Sequence, residues 1–268
     1  MAASLGGAVE IDRRTLTRSP LVNAVWQLRF TTETRLADGR AAMNFQSALK
    51  HNTSLMPVTE GGPSASRQTA SVEVKESAWR LTATDSSAAV TIAPGVITLE
   101  TGNYGSWEAN FQPWIWDILT ALSESLDPGL TTRIGLRYVN ALFGAVVERD
   151  DFASPDDLAG LVHPALLGFG ADAGSPEVLM LQGRQVLTTL DAQVTLNHAL
   201  VQADDGESGM IIDVDAYLEE AIAFDLEAVA AASERIHDAA LSVFQRCLTS
   251  EAWDAMGPME RKAEGGDS

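Results

Sequence analysis

Three features of the 268-residue sequence predict an α+β fold in which antiparallel sheet meanders are each followed by a long amphipathic helix. The stretch Arg133-Ile134-Gly135-Leu136-Arg137-Tyr138-Val139-Asn140 alternates Ile134, Leu136 and Tyr138 on one face with Arg133, Gly135, Arg137 and Val139 on the other, the period of a strand. Directly before it, Trp107, Phe111, Trp114, Ile118, Leu122 and Leu126 recur every three or four residues, the period of a helix. Short β-prone runs punctuated by turn residues occur twice, over 70–101 and over 178–214, each followed by a helical pattern. The shared order reads as an internal pseudo-duplication, carried by element order and not by residue identity.

Taken in order, Val22, Ala24, Trp26, Leu28 and Phe30 alternate after Pro20, which predicts a strand over 21–30 with one buried face. Met43, Phe45 and Leu49 mark a modest helix over 36–50. Gly61, Gly62 and Pro63, among serines and threonines, make 59–69 a loop. Four runs, 70–75, 79–84, 88–93 and 96–101, then form an antiparallel meander broken at Asp85-Ser86-Ser87 and Pro94-Gly95. Ser106 is placed to cap the helix over 106–126, whose aromatic side chains supply much of the core. Asp127-Pro128-Gly129 turns the chain into the central strand. Beyond Glu148, aspartates, prolines and glycines break every period. Strands follow at 178–181, 186–190, 194–201 and 210–214, then a helix capped by Asp225 and running to Cys247, and a short one from Thr249 to Met256, where Gly257-Pro258 ends it. The expected organisation is an N-terminal strand-helix-meander-helix-strand half over 1–148, an irregular connection over 149–177, a C-terminal meander-helix half over 178–258 sharing the core, and a disordered tail over 259–268.

Composition sets limits on function. Eighteen basic residues against 37 acidic ones give a formal charge of −19, which repels phosphate backbones and anionic membranes at long range and argues against general nucleic-acid binding. No apolar run approaches the ~20 residues that span a bilayer, and no signal peptide is visible, so a cytoplasmic location is expected. Cys247 is the single cysteine, which rules out an internal disulfide or a cysteine-cluster metal site.

Few motifs carry chemistry. Gly168-Phe169-Gly170-Ala171-Asp172-Ala173-Gly174 has the wrong last interval for a dinucleotide fingerprint and lacks a preceding strand. Glu73-Val74-Lys75 has the Glu-x-Lys form of a nuclease half-site, but no suitable Pro-Asp precedes it, so it reads as exposed alternating charge. No nucleophile elbow, Walker loop or His-Glu-x-x-His occurs. His198 shares a face with Val194, Leu196 and Leu200, the setting of a hydrogen-bonded core histidine. Asp213 and Asp215 flank Val214 and could hold a divalent cation with Asp191 or Asp204; a strand end running into a helix cap explains them more economically. Neither a metal nor a cofactor is expected. Arg133 and Arg137 remain. Four residues of strand separate them by roughly 13 Å, and Gly135 between them leaves room for a ligand, unless each arginine pairs with a structural carboxylate.

The stretch Pro20–Phe30, the string Arg133-Ile134-Gly135-Leu136-Arg137-Tyr138-Val139-Asn140, and His237-Asp238 with Phe244, Leu248-Thr249 and Trp253 together resemble a sporadically distributed family of uncharacterised prokaryotic proteins of similar length. The resemblance spans nearly the whole chain, and the central Arg-x-Gly-Leu-Arg-Tyr-x-Asn string is its most specific part. It implies a full-length cytosolic domain and no particular activity. The leading expectation is a non-enzymatic binding protein whose acidic surface recognises a protein partner of basic character. The alternative is an enzyme or small-ligand receptor whose anion site is formed by Arg133, Arg137 and Asn140.

Overall fold

The computed structural model describes residues 11–58, 78–148, 158, 160–168, 180–203 and 206–259. The expected strand at 70–75, with Glu73-Val74-Lys75, the loop at 59–69, most of the 149–177 connection and nearly all of the tail lie outside these residues. The class is the one expected, a mixed fold with a large antiparallel sheet. Its strands are β1 (Leu21–Phe30), β2 (Thr53–Val58), β3 (Ala78–Ala83), β4 (Ala89–Ala93), β5 (Val96–Thr101), β6 (Leu130–Leu142), β7 (Gln182–Thr189), β8 (Ala192–Gln202), β9 (Ser208–Leu218) and β10 (Ile222–Ala223). They lie in the order β2-β3-β4-β5-β1-β6-β9-β8-β7, with β10 beside β6. The helices are α1 (Arg40–Ala48), α2 (Gln112–Ser125), α3 (Leu226–Cys247) and α4 (Ser250–Ala255). Among the described residues no helix is long and apolar enough to cross a membrane.

The chain forms two compact units assembled from separated segments. A meander unit comprises Asn23–Leu136 and Tyr217–Glu234; a terminal unit comprises Met1–Val22, Arg137–Ala216 and Arg235–Ser268.

In the meander unit, strand alternation places apolar side chains in rows. Leu81 faces Val90, Val90 faces Leu99 and Leu99 faces Trp26, so four neighbouring strands contribute to one buried line. Trp26 is fully buried and its Nε1 donates to Ser233 Oγ at 3.0 Å, which satisfies the one polar atom that burial would otherwise strand. Trp107, Phe111, Trp114, Ile118 and Leu122 are all buried, as their spacing requires. Burial of each large aromatic contributes about 2–3 kcal/mol. Their helix differs from the expectation at its start: Trp107–Phe111 is a π turn, with the Phe111 amide donating to the Ser106 carbonyl. Ser106 caps it as expected, accepting from the Ala109 amide at 3.1 Å. The first helix begins only at Arg40, because Gly39 adopts φ 72° and ends a separate 3-10 turn over Thr34–Asp38.

In the terminal unit, β7, β8 and β9 form a run of antiparallel strands. Thr189 and Ala192 close a two-residue hairpin whose central residues, Leu190 and Asp191, both have positive φ, 50° and 59°. The N-terminal segment lies along the end of α3 and α4. The Asp12 amide donates to Gln245, Trp253 Nε1 donates to Asp12 Oδ2 at 3.0 Å, Arg13 pairs with Asp238, and Arg18 donates to the Ala255 carbonyl. Arg14 beside Asp12 holds that carboxyl well below the usual range, at about 2. On the inner face, Tyr138 OH lies 2.9 Å from His237 Nδ1, and burial depresses His237 to about 3, so its ring is neutral at pH 7.

Candidate functional site

β6 carries the arginines that the sequence singles out, and each arginine has its own partners. In the meander unit, Arg133 Nη1 donates to Gln27 Oε1 at 3.3 Å, its Nε lies 3.7 Å from Glu219 Oε1, and its guanidinium sits 4.9 Å from the centre of the Tyr217 ring. The side chain is folded over Gly135: a Cβ added there would fall 2.9 Å from Arg133 Cζ. The room expected above Gly135 is therefore occupied by Arg133 itself. In the terminal unit, Arg137 grips Asp213 with two parallel bonds, Nε to Oδ1 at 2.7 Å and Nη2 to Oδ2 at 2.9 Å. Asp213 raises the Arg137 pKa further above its ordinary value, with a smaller contribution from Asp215. Asn140 projects from the opposite face of β6 to Arg137, is buried, and donates to the Ile212 carbonyl at 3.2 Å.

Asp213 and Asp215 lie in the interior of β9, which continues to Leu218, four residues beyond the expected end at 214. Asp213 Oδ2 also accepts from Asn197 Nδ2 at 3.2 Å, and Asn197 in turn faces Arg184 across the β7–β8 pair. Four adjacent strands thus present Arg184, Asn197, Asp213 and Arg137 in one row. Neither Arg184 nor Asn197 is marked out by any sequence motif, and the residues of the row are spread over four strands. Beside this row lies a cavity of about 420 Å³ lined by Gln182, Gly183, Arg184, Asn197, His198, Ala199, Ile211 and Asp213. Alternation directs the side chains of Arg184, Asn197, Ala199, Ile211 and Asp213 to the same side of the strands. Gly183 and His198 point to the other face, where the imidazole packs over Gly183. His198 is buried as expected, and burial lowers its pKa, but its Nδ1 finds no hydrogen-bond partner among the described residues.

Sequence reasoning also missed Asp117 and His51. Asp117, buried on α2, accepts the Lys50 and His51 amides and holds His51 Nδ1 at 2.6 Å, while the imidazole stacks on Trp114 with ring centres 3.6 Å apart. The carboxylate fixes the turn between α1 and β2 and selects the tautomer with the proton on Nδ1. Among the described residues no nucleophilic hydroxyl or thiol is hydrogen-bonded to His51, and no group of three histidine, cysteine or acidic side chains is placed to hold a metal ion.

The outer edge of β7 completes the site. The Leu200 amide donates to the Leu181 carbonyl, which sets the phase of the β7–β8 ladder; Gly183, Gln185 and Leu187 bond inward, so Gln182, Arg184, Val186 and Thr188 turn their backbone N–H and C=O groups outward. Among the described residues no strand pairs with that edge. Val186 is 61% exposed on it and Leu190 49% exposed at its end. Compared with protein-family models, with curated proteins and with solved structures, the chain matches none of them.

Proposed function

We propose that the chain is a non-enzymatic, cytosolic recognition protein that takes an extended segment of a basic protein partner onto the outer edge of β7. The observation that carries this reading is the edge itself: an eight-residue strand with four residues' worth of outward backbone groups and an exposed Val186. Sheet edges of this length are ordinarily blunted by proline, lysine or a covering segment, because an unpaired edge templates further strands. The strand at the opposite end of the sheet, β2, carries Pro57, whereas β7 carries neither proline nor lysine. Strand addition draws affinity from main-chain hydrogen bonds and selectivity from the alternate side chains beside them. The formal charge of −19 adds long-range attraction for a basic partner and repulsion of nucleic acid. The engagement of Arg133 by Gln27 and Glu219 and of Arg137 by Asp213 favours structural roles for both over a shared anion site with Asn140. The pseudo-duplication belongs to the same reading, supported by the long helices α2 and α3 that each follow a set of strands.

The test uses Val186→Pro, which deletes one outward N–H while leaving the β7–β8 ladder intact. A photo-crosslinking residue at Thr188 should trap a basic partner from host extract, and Val186→Pro should abolish the trapping with little change in the thermal melt. Trapping that survives Val186→Pro, or no trapping by the parent protein, would overturn the proposal.

A further inference from the structure

The cavity beside β7 has a chemistry of its own. Its rim bears Arg184, exposed and without a hydrogen bond or ion pair among the described residues, in contrast to the paired Arg133 and Arg137. Its floor is the Asn197–Asp213 pair. Asn197 spends its amide N–H on Asp213, which leaves the amide oxygen as an acceptor, and Asp213 is held by three donors, two from Arg137 and one from Asn197. Ala199 and Ile211 supply the apolar wall. The volume, about 420 Å³, lies within the range of sites for small organic molecules.

We infer that this cavity binds a small organic monocarboxylate that carries a hydrogen-bond donor, with its carboxylate on the Arg184 guanidinium, its apolar body on Ala199 and Ile211, and its hydroxyl or amide N–H on Asn197 Oδ1. The charges select the class. A single unpaired guanidinium matches one negative charge, and its planar fork matches the two oxygens of a carboxylate. A phosphate dianion would meet the field of Asp213 and Asp215 with only one unpaired cation to offset it. A cation would be drawn to Asp213, but both of that carboxylate's oxygens are already engaged. The site is independent of strand addition, because it uses the Arg184 side chain and not the backbone groups of the edge.

The experiment is ligand-observed NMR on the full chain with 4-hydroxybenzoate, 3-hydroxybutyrate and N-acetylglycine as monocarboxylate probes, 4-hydroxybenzamide as the uncharged control and inorganic phosphate as the dianion control. At least one monocarboxylate should bind, with both controls weaker. Arg184→Gln should reduce that affinity ten-fold or more, Arg184→Lys less, and Asn197→Ala should weaken the three probes, each of which carries a donor, while leaving benzoate, which carries none, unchanged. Arg184 is exposed, so its variants should melt with the parent protein and report binding alone. Three outcomes would each overturn the inference: no monocarboxylate binds, phosphate or the amide binds as well, or binding persists in Arg184→Gln.

Discussion

Arg137 and Asp213 differ in their surroundings, and the difference sets what their pairing is worth. The Arg137 side chain is 53% exposed and that of Asp213 only 11%, so the attraction is partly screened while the carboxylate depends on its donors. Arg137→Leu removes two of the three donors to Asp213. The expected loss is about 1–2 kcal/mol, below the roughly 3–5 kcal/mol of a wholly buried pair; chemical denaturation of the variant measures it, and a double-mutant cycle with Asp213→Asn isolates the pair. His237 gives the chain an acid sensitivity of different origin. Its folded pKa, about 3, lies below the ordinary 6.5 because burial disfavours the imidazolium. The unfolded chain therefore binds a proton that the folded chain refuses between those values, and stability falls as pH drops from 6.5 towards 3. The loss amounts to about 5 kcal/mol at most. His237→Gln should flatten the slope of unfolding free energy against pH in that window by close to one proton, and an unchanged slope would show that other groups dominate it.

At the scale of elements, the β7–β8 hairpin turns through Leu190 and Asp191, both left-handed, where asparagine and glycine are the residues that such a turn accommodates without strain. Leu190→Asn with Asp191→Gly should raise stability by about 0.5–1 kcal/mol in equilibrium unfolding, provided the loop has no other task. The same turn shows why part of the fold was illegible. Leu190 reads as the last apolar residue of a strand over 186–190, which places the turn one residue too late, and the strand itself begins four residues earlier, at Gln182. Strand β2 has no apolar alternation to mark it, because its side chains are largely exposed, and Pro57 argues against a strand anywhere but at an edge. By contrast, the caps at Ser106, Asp225 and Thr249 were all legible, since each accepts from an amide three residues ahead. The limits of β1 and β5 could likewise be read from alternation alone. The candidate site could not. Arg137 and Asp213 are 76 residues apart, and only the register of β6 against its neighbour β9 decides that they meet.

At the scale of the whole molecule, the terminal unit is closed by the two ends of the described chain. Asp12 and Trp253 are bonded across 241 residues, and Thr17 and Arg18 bond to the backbone of Gly257 and Ala255. A chain ending at Thr249 lacks all three of these partners. Trypsin should then cut after Arg13, Arg14 and Arg18 much faster than in the full chain, and equal rates would show that the remaining bonds to Asp238, Gln245 and Glu148 suffice to hold the segment. The same clasp governs the order of events during synthesis. Residues 11–18 leave the ribosome long before the residues they dock on, Asp238 to Gly257, so this unit cannot close from its first segment forward as the chain emerges. Closing so long a loop also slows folding once the chain is free. Until Asp238 to Gly257 have emerged, residues 11–18 lack these partners, and a product truncated before them leaves Arg13, Arg14 and Arg18 without the bonds that hold them in the full chain.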